Sequence, residues 1–94
     1  MKVTSPSRIG DIAEFYAVTW LWDHGFEVFT NCGCTGAVDL VALSPEGEIV
    51  LIDVKSRQTV NRQTNRSPEQ KKLGVRQLSF NPTSRELRFV EHKE

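Results

Sequence analysis

No stretch of this sequence approaches the roughly 20 consecutive apolar residues that a bilayer-spanning helix needs, so no membrane partner is expected. The first residues, Met1, Lys2, Val3, Thr4, Ser5 and Pro6, form no apolar signal segment, and a cytoplasmic location is the expectation. Cysteine is equally sparse. Cys32 and Cys34, separated by one glycine on what reads as extended chain, have neither the spacing nor the second pair of a zinc site. Internal repeats and low-complexity segments are missing, and so are helix-turn-helix and zinc-finger signatures, which leaves no basis for base-specific reading of nucleic acid.

Net charge is also absent, but the zero total conceals a division. Residues 1–54 carry Lys2 and Arg8 against eight acids, a net of −6, whereas residues 55–94 carry ten cations against four glutamates, a net of +6. Such an asymmetry suits an acidic centre brought against a polyanion by a separate basic surface; it equally suits charge balance between two halves of one fold. With 94 residues, 38% of them hydrophobic and 26% charged, the chain reads as one domain, 1–94, of ordinary globular composition. A core this small leaves a narrow stability margin, which makes a homodimer or higher oligomer a natural expectation.

Apolar residues at Ile9, Ile12, Ala13, Tyr16, Ala17, Trp20 and Leu21 recur at three- and four-residue steps and predict an amphipathic helix from Ser7 to His24, ended by Gly25. Trp20 falls on its core side and Trp22 on another face, available for an interface or for stacking. Alternation over Phe26–Asn31 predicts a strand. Two apolar runs follow, 36–43 and 48–55, joined by Ser44, Pro45, Glu46 and Gly47 as a hairpin. Residues 56–67 have no apolar period and read as an exposed loop. Ser67, Pro68, Glu69 and Gln70 make a helix start with cap, first-turn proline and an acid near the dipole's positive end, and Gly74 stops it. Final strands are expected at Val75–Phe80 and Glu86–Val90.

The hairpin carries the chemistry. Asp39 and the triplet Asp53, Val54, Lys55 end its two apolar runs with thirteen residues between the acids, and a hairpin brings both carboxylates together. Such a pair in apolar surroundings is costly unless a cation or a proton is shared between them. Mg²⁺, with Mn²⁺ as a substitute, takes oxygen ligands and keeps several waters. Asp39, Asp53 and one backbone carbonyl, that of Val54, would hold it while leaving room for a phosphate oxygen and a water. Period-two geometry puts Lys55 on the face of Asp53, where its ammonium can position the attacking water and stabilise charge at phosphorus. An exposed ion pair at a strand end is the plainer alternative.

The Asp, thirteen residues, Asp-x-Lys spacing resembles the PD-(D/E)XK nuclease superfamily, with Val38 where the motif's name has proline. The resemblance extends to the element order of helix, three strands, helix and strand. It implies an α/β (α+β) restriction-endonuclease-like core with a mixed central sheet flanked by helices. It implies a metal-dependent DNA endonuclease whose two acids bind metal and whose lysine serves the nucleophile. Glu14, in the context Gly10, Asp11, Ile12, Ala13, Glu14, resembles the first-helix glutamate that joins the metal site in archaeal Holliday junction resolvases; as a helix residue beside the apolar stripe it could equally face solvent. Gln70 resembles a glutamine that some branches place near the active site, and is otherwise a first-turn polar residue. Arg57, Arg62, Arg66, Lys71 and Lys72 follow the catalytic strand as candidate phosphate contacts. A sequence-specific homing or restriction enzyme, and a non-catalytic nucleic-acid-binding module, are the alternatives to a junction-selective nuclease.

Overall fold

The computed structural model describes residues 5–33, 35–57 and 66–91. Its order is helix α1 (Pro6–Asp23), strands β1 (Glu27–Thr30), β2 (Leu40–Leu43) and β3 (Ile49–Ser56), helix α2 (Pro68–Leu73), then β4 (Arg76–Phe80) and β5 (Leu87–Phe89). This is the expected α+β sequence of elements. The strands form one sheet in the order β1-β2-β3-β4-β5, antiparallel except for the parallel pair β3 and β4. A parallel pair requires a crossover, and the segment containing α2 supplies it.

Local chemistry sets the boundaries. The Ser5 side chain accepts the Arg8 N–H at 3.1 Å and Pro6 occupies the first turn, so α1 starts where its unpaired amides find a partner. It ends at His24, and Gly25 turns the chain with φ +85° into β1. In α2, Ser67 and Gln70 form a reciprocal capping box, and Gly74 closes the helix in the left-handed conformation at φ +72°. Among the described residues no helix is long and apolar enough to cross a membrane.

Ala13, Ala17 and Leu21 are the buried face of α1, and Ala17 and Leu21 pack on Leu40, Ala42, Ile52 and Leu78 of the sheet. Tyr16 rests its ring on Phe80, with centroids 5.1 Å apart. Trp20 packs against this core, as its position on the helix stripe implies, whereas Trp22 is exposed. Because Ile52 and Leu78 face α1, strand alternation turns Asp53 and Gln77 to the opposite face.

The second strand is shorter than its apolar run suggests. Gly36 takes φ +104°, and the Asn31 amide donates to the carbonyls of Thr35 (2.7 Å) and Val38 (2.9 Å). Those bonds hold residues 35–38 as a loop rather than as a continuation of β2. Cys32 is likewise exposed in a turn after β1 instead of on extended chain, because the Gly33 N–H folds back onto Asn31 Oδ1 at 2.9 Å. Cys34 lies outside the described residues.

Candidate active site

Register brings the two acids together. In the β2–β3 hairpin Leu43 pairs with Ile49 and Leu40 with Ile52, so the next rung sets Asp39 against Asp53. The ladder does not continue through that rung. Asp39 N–H donates to Ile52 O (2.8 Å) and Asp39 O accepts from Asn31 N–H (3.1 Å), after which β2 ends while β3 runs on to Ser56 beside β4 alone. The Asp39 side chain fills the gap: its Oδ2 accepts the Val54 N–H at 2.8 Å. A strand residue sends its N–H and C=O to the same side, so the Val54 carbonyl leaves β3 toward Asp39 as well.

Asp53 is 6% exposed. Its Oδ2 lies 3.6 Å from Lys55 Nζ and accepts a hydrogen bond from Gln77 Nε2 at 3.4 Å. Lys55 stays open to solvent, with 42% of its side chain exposed. The site thus has a buried acid, a second acid fixed to the backbone, and an accessible ammonium beside them.

The electrostatics are those of crowded acids. Burial raises the Asp39 carboxyl above its ordinary value, and the neighbouring Asp53 carboxyl adds to the rise. The Val54 N–H and the Lys55 charge pull the other way without cancelling it. Glu14, half-buried on α1, is raised first by burial and then by Asp39, Asp11 and Asp53. It therefore senses both hairpin acids. Among the described residues, however, no three acidic, histidine or cysteine side chains stand close enough to hold one ion.

Gln70 sits elsewhere in this neighbourhood. Its Oε1 accepts the Ser67 N–H (3.0 Å) and its Nε2 donates to Ala37 O (3.0 Å), which ties the capping box of α2 to the loop two residues before Asp39. Of the basic set, Arg57 donates its backbone N–H to Phe80 O (2.8 Å), and Arg66 turns its guanidinium inward to Val75 O (3.0 Å). Lys71 and Lys72 are exposed in the last turn of α2, and Arg62 lies outside the described residues.

Gln77 has no place in the sequence reading, yet it is fully buried against Asp53. A glutamine set among the apolar residues Val75, Leu78 and Phe80 was the available signal. Its proximity to Asp53 depends on the parallel register of β3 and β4, which local pattern does not encode.

A mixed sheet in this order, with Asp39 opposite an Asp-x-Lys strand end, defines the class: the PD-(D/E)XK nuclease superfamily. Within it, the chain belongs to the family described as archaeal Holliday junction resolvase (hjc), which it matches over residues 5–72. It is also similar to a UPF0102 protein of Bifidobacterium longum subsp. infantis and to another of Bifidobacterium longum. Each is 36% identical over 59 residues, which cover 61% of this chain and 48% of the relative. The chain thus spans about half the length of these relatives. In three dimensions it is similar to the bacterial homing endonuclease I-Ssp6803I, with TM-score 0.72 and 20% identity over 93% of this chain and 69% of that one. At that identity the likeness is one of fold.

Proposed function

We propose that this chain is a metal-dependent DNA endonuclease that hydrolyses phosphodiester bonds, with branched or junction DNA as its preferred substrate. The observation that carries the reading is the fork in the sheet: Asp39 fixed on the Val54 N–H at 2.8 Å, beside a buried Asp53 with Lys55 3.6 Å away. The donor set fits a hard divalent cation, Mg²⁺ or Mn²⁺, because it offers two carboxylates and a backbone carbonyl in one gap with no nitrogen or sulfur ligand. Burial first, and then the neighbouring Asp53 carboxyl, raise Asp39, and both are costs of holding charge there that a bound cation would offset.

Asp39 and Asp53 would hold the ion, with the Val54 carbonyl leaving β3 toward the same gap. Bound there, a divalent cation supplies positive charge to the scissile phosphate and acidifies a water. Lys55, exposed and adjacent, donates from Nζ to that water or to a non-bridging phosphate oxygen, holding the nucleophile in line and countering the charge that develops at phosphorus. Water oxygen bonds to phosphorus as the bond to the leaving sugar oxygen breaks, the attacking water releasing a proton to solvent and the leaving oxygen taking one up from solvent. Glu14 approaches from α1 and adjusts the field at the acids. Gln70 positions the Asp39 loop through Ala37. Lys71 and Lys72 offer phosphate contacts, while Arg57 and Arg66 act closer to the scaffold. Junction preference draws on the family, and cutting paired strands calls for two copies of the chain.

The test is incubation of the purified chain with labelled four-way junction, linear duplex and single-stranded DNA, in Mg²⁺, Mn²⁺ or chelator. Metal-dependent cleavage of the junction above the linear duplex, lost in Asp53→Ala, is expected. Cleavage of one duplex sequence alone supports a homing-type enzyme, in keeping with the similarity in fold. Binding without products in either metal refutes catalysis and leaves a binding module.

A further inference from the structure

We infer that Gln77 is a positioning residue for Asp53, a role that rests on the nuclease reading above. Asp53 stands opposite Gln77 in the parallel register of β3 and β4, and paired residues in such a ladder project to one face. Gln77 is 0% exposed and its Nε2 meets Asp53 Oδ2 at 3.4 Å, a long bond made between immediate neighbours. Its other end is buried, and among the described residues Oε1 accepts no hydrogen bond.

That half-satisfied state is informative. A buried amide with an orphaned carbonyl carries a desolvation cost that an apolar side chain of similar size does not. Val75, two residues before it in the chain, is fully buried as well. Stability alone would be served by a methionine or leucine. The amide orientation is also constrained, since turning Oε1 toward Asp53 would set a carbonyl against a carboxylate. Gln77 therefore gives up a hydrogen bond to keep its donor on Asp53.

The consequence is a defined carboxylate. Lys55 Nζ approaches the same Oδ2 from 3.6 Å, so two donors converge on one oxygen of Asp53. Held there, the carboxylate cannot rotate freely, and its orientation toward Asp39 is set before any cation arrives. Outer partners that orient metal-binding carboxylates act in this way, and their removal typically weakens metal binding 10- to 100-fold.

The test compares Gln77→Met, which keeps the length and drops the amide, with wild type in two separate measurements. Urea unfolding in chelator is expected to give an unchanged or higher midpoint. Mn²⁺ titration by calorimetry is expected to give at least about 10-fold weaker binding, with kcat on junction DNA reduced and KM for DNA unchanged. Gln77→Leu serves if the methionine variant does not fold. In wild-type protein without metal, slow exchange of the Gln77 side-chain amide protons, accelerated in Asp53→Ala, provides a readout independent of activity. Mn²⁺ affinity within twofold of wild type in a folded Gln77 variant overturns the inference and leaves the nuclease reading standing. Wild-type protein that binds no Mn²⁺ overturns the metal reading and this one together.

Discussion

Replacing Asp53 by asparagine is expected to stabilise the metal-free protein while abolishing cleavage. Two carboxylates about 4 Å apart repel by about 4 kcal/mol at an effective dielectric of 20. Lys55 offsets part of this, but its ion pair with Asp53 is half open to solvent, which limits it to about 1 kcal/mol. An asparagine at 53 removes the repulsion, retains an oxygen for Gln77, and gives up the ion pair. The balance favours the variant by up to about 3 kcal/mol, at about 4–8 °C in Tm per kcal/mol for a domain of this size. Metal opposes that gain. A cation at a hundredfold excess over its Kd stabilises wild type by about 2.7 kcal/mol and the variant by much less.

The pH dependence provides a second handle on the same site. Asp39 and Glu14 are both raised above their ordinary values of 3.8 and 4.5 in the folded chain. Each therefore binds its proton more tightly folded than unfolded. Their contribution to stability is present at pH below the unfolded values and is lost as pH rises through the folded ones. Metal-free protein should consequently lose stability from mildly acidic to neutral pH, and Asp53→Asn should flatten the part of the slope due to Asp39. Urea unfolding between pH 4 and pH 7, in chelator and in Mg²⁺, measures all of these quantities. A variant less stable than wild type in chelator, with a slope equal to wild type, would refute the crowded-acid account.

Lys55→Met should lower kcat on junction DNA by about 100-fold or more while leaving the Tm within a few degrees, because the ammonium is exposed; a rate loss below fivefold argues against its part at phosphorus. Lys71→Gln with Lys72→Gln should weaken binding to all DNA forms alike and reduce the slope of log affinity against log salt by about 1–2, as read by fluorescence anisotropy; an unchanged slope removes α2 from the phosphate surface. Gly25→Ala should cost about 2 kcal/mol, since a Cβ there meets Pro45 Cγ at 2.9 Å and the backbone is at φ +85°. Gly74→Ala, at φ +72° with nothing within 4 Å, should cost about 1 kcal/mol; chemical denaturation separates the two, and equal losses would mean that the Pro45 contact relaxes freely.

Much of this architecture was legible because its signals are local. The cap at Ser67, the stops at Gly25 and Gly74 and the apolar stripe of α1 each report on a few neighbouring residues. Asp39 and Asp53 were also within reach, since an antiparallel hairpin with a short turn fixes its own register. What escaped the sequence depends on distant partners. The run 36–38 looks like strand until the Asn31 amide claims Thr35 and Val38, and Gln77 looks like a polar interruption until a crossover sets β4 beside β3. Gln70 shows an intermediate case: its capping role follows from Ser67 three residues before it, but its bond to Ala37 spans thirty-three positions.

The turn between β2 and β3 has a further consequence for how this chain can change over evolutionary time. Ser44 N–H donates to Glu48 O at 2.8 Å, leaving Pro45, Glu46 and Gly47 as a three-residue connection with Gly47 at φ +90°. That loop works as a ruler. One residue inserted or deleted slides β2 by a step against β3, which moves Asp39 off Asp53 and turns the apolar residues of β2 away from α1. Surface loops ordinarily tolerate changes of length, but this one is coupled to a site four rungs away. Homologues that keep the acid pair should therefore vary the identity of Pro45 and Glu46 far more readily than the number of residues in the turn, with glycine kept at the left-handed position of Gly47.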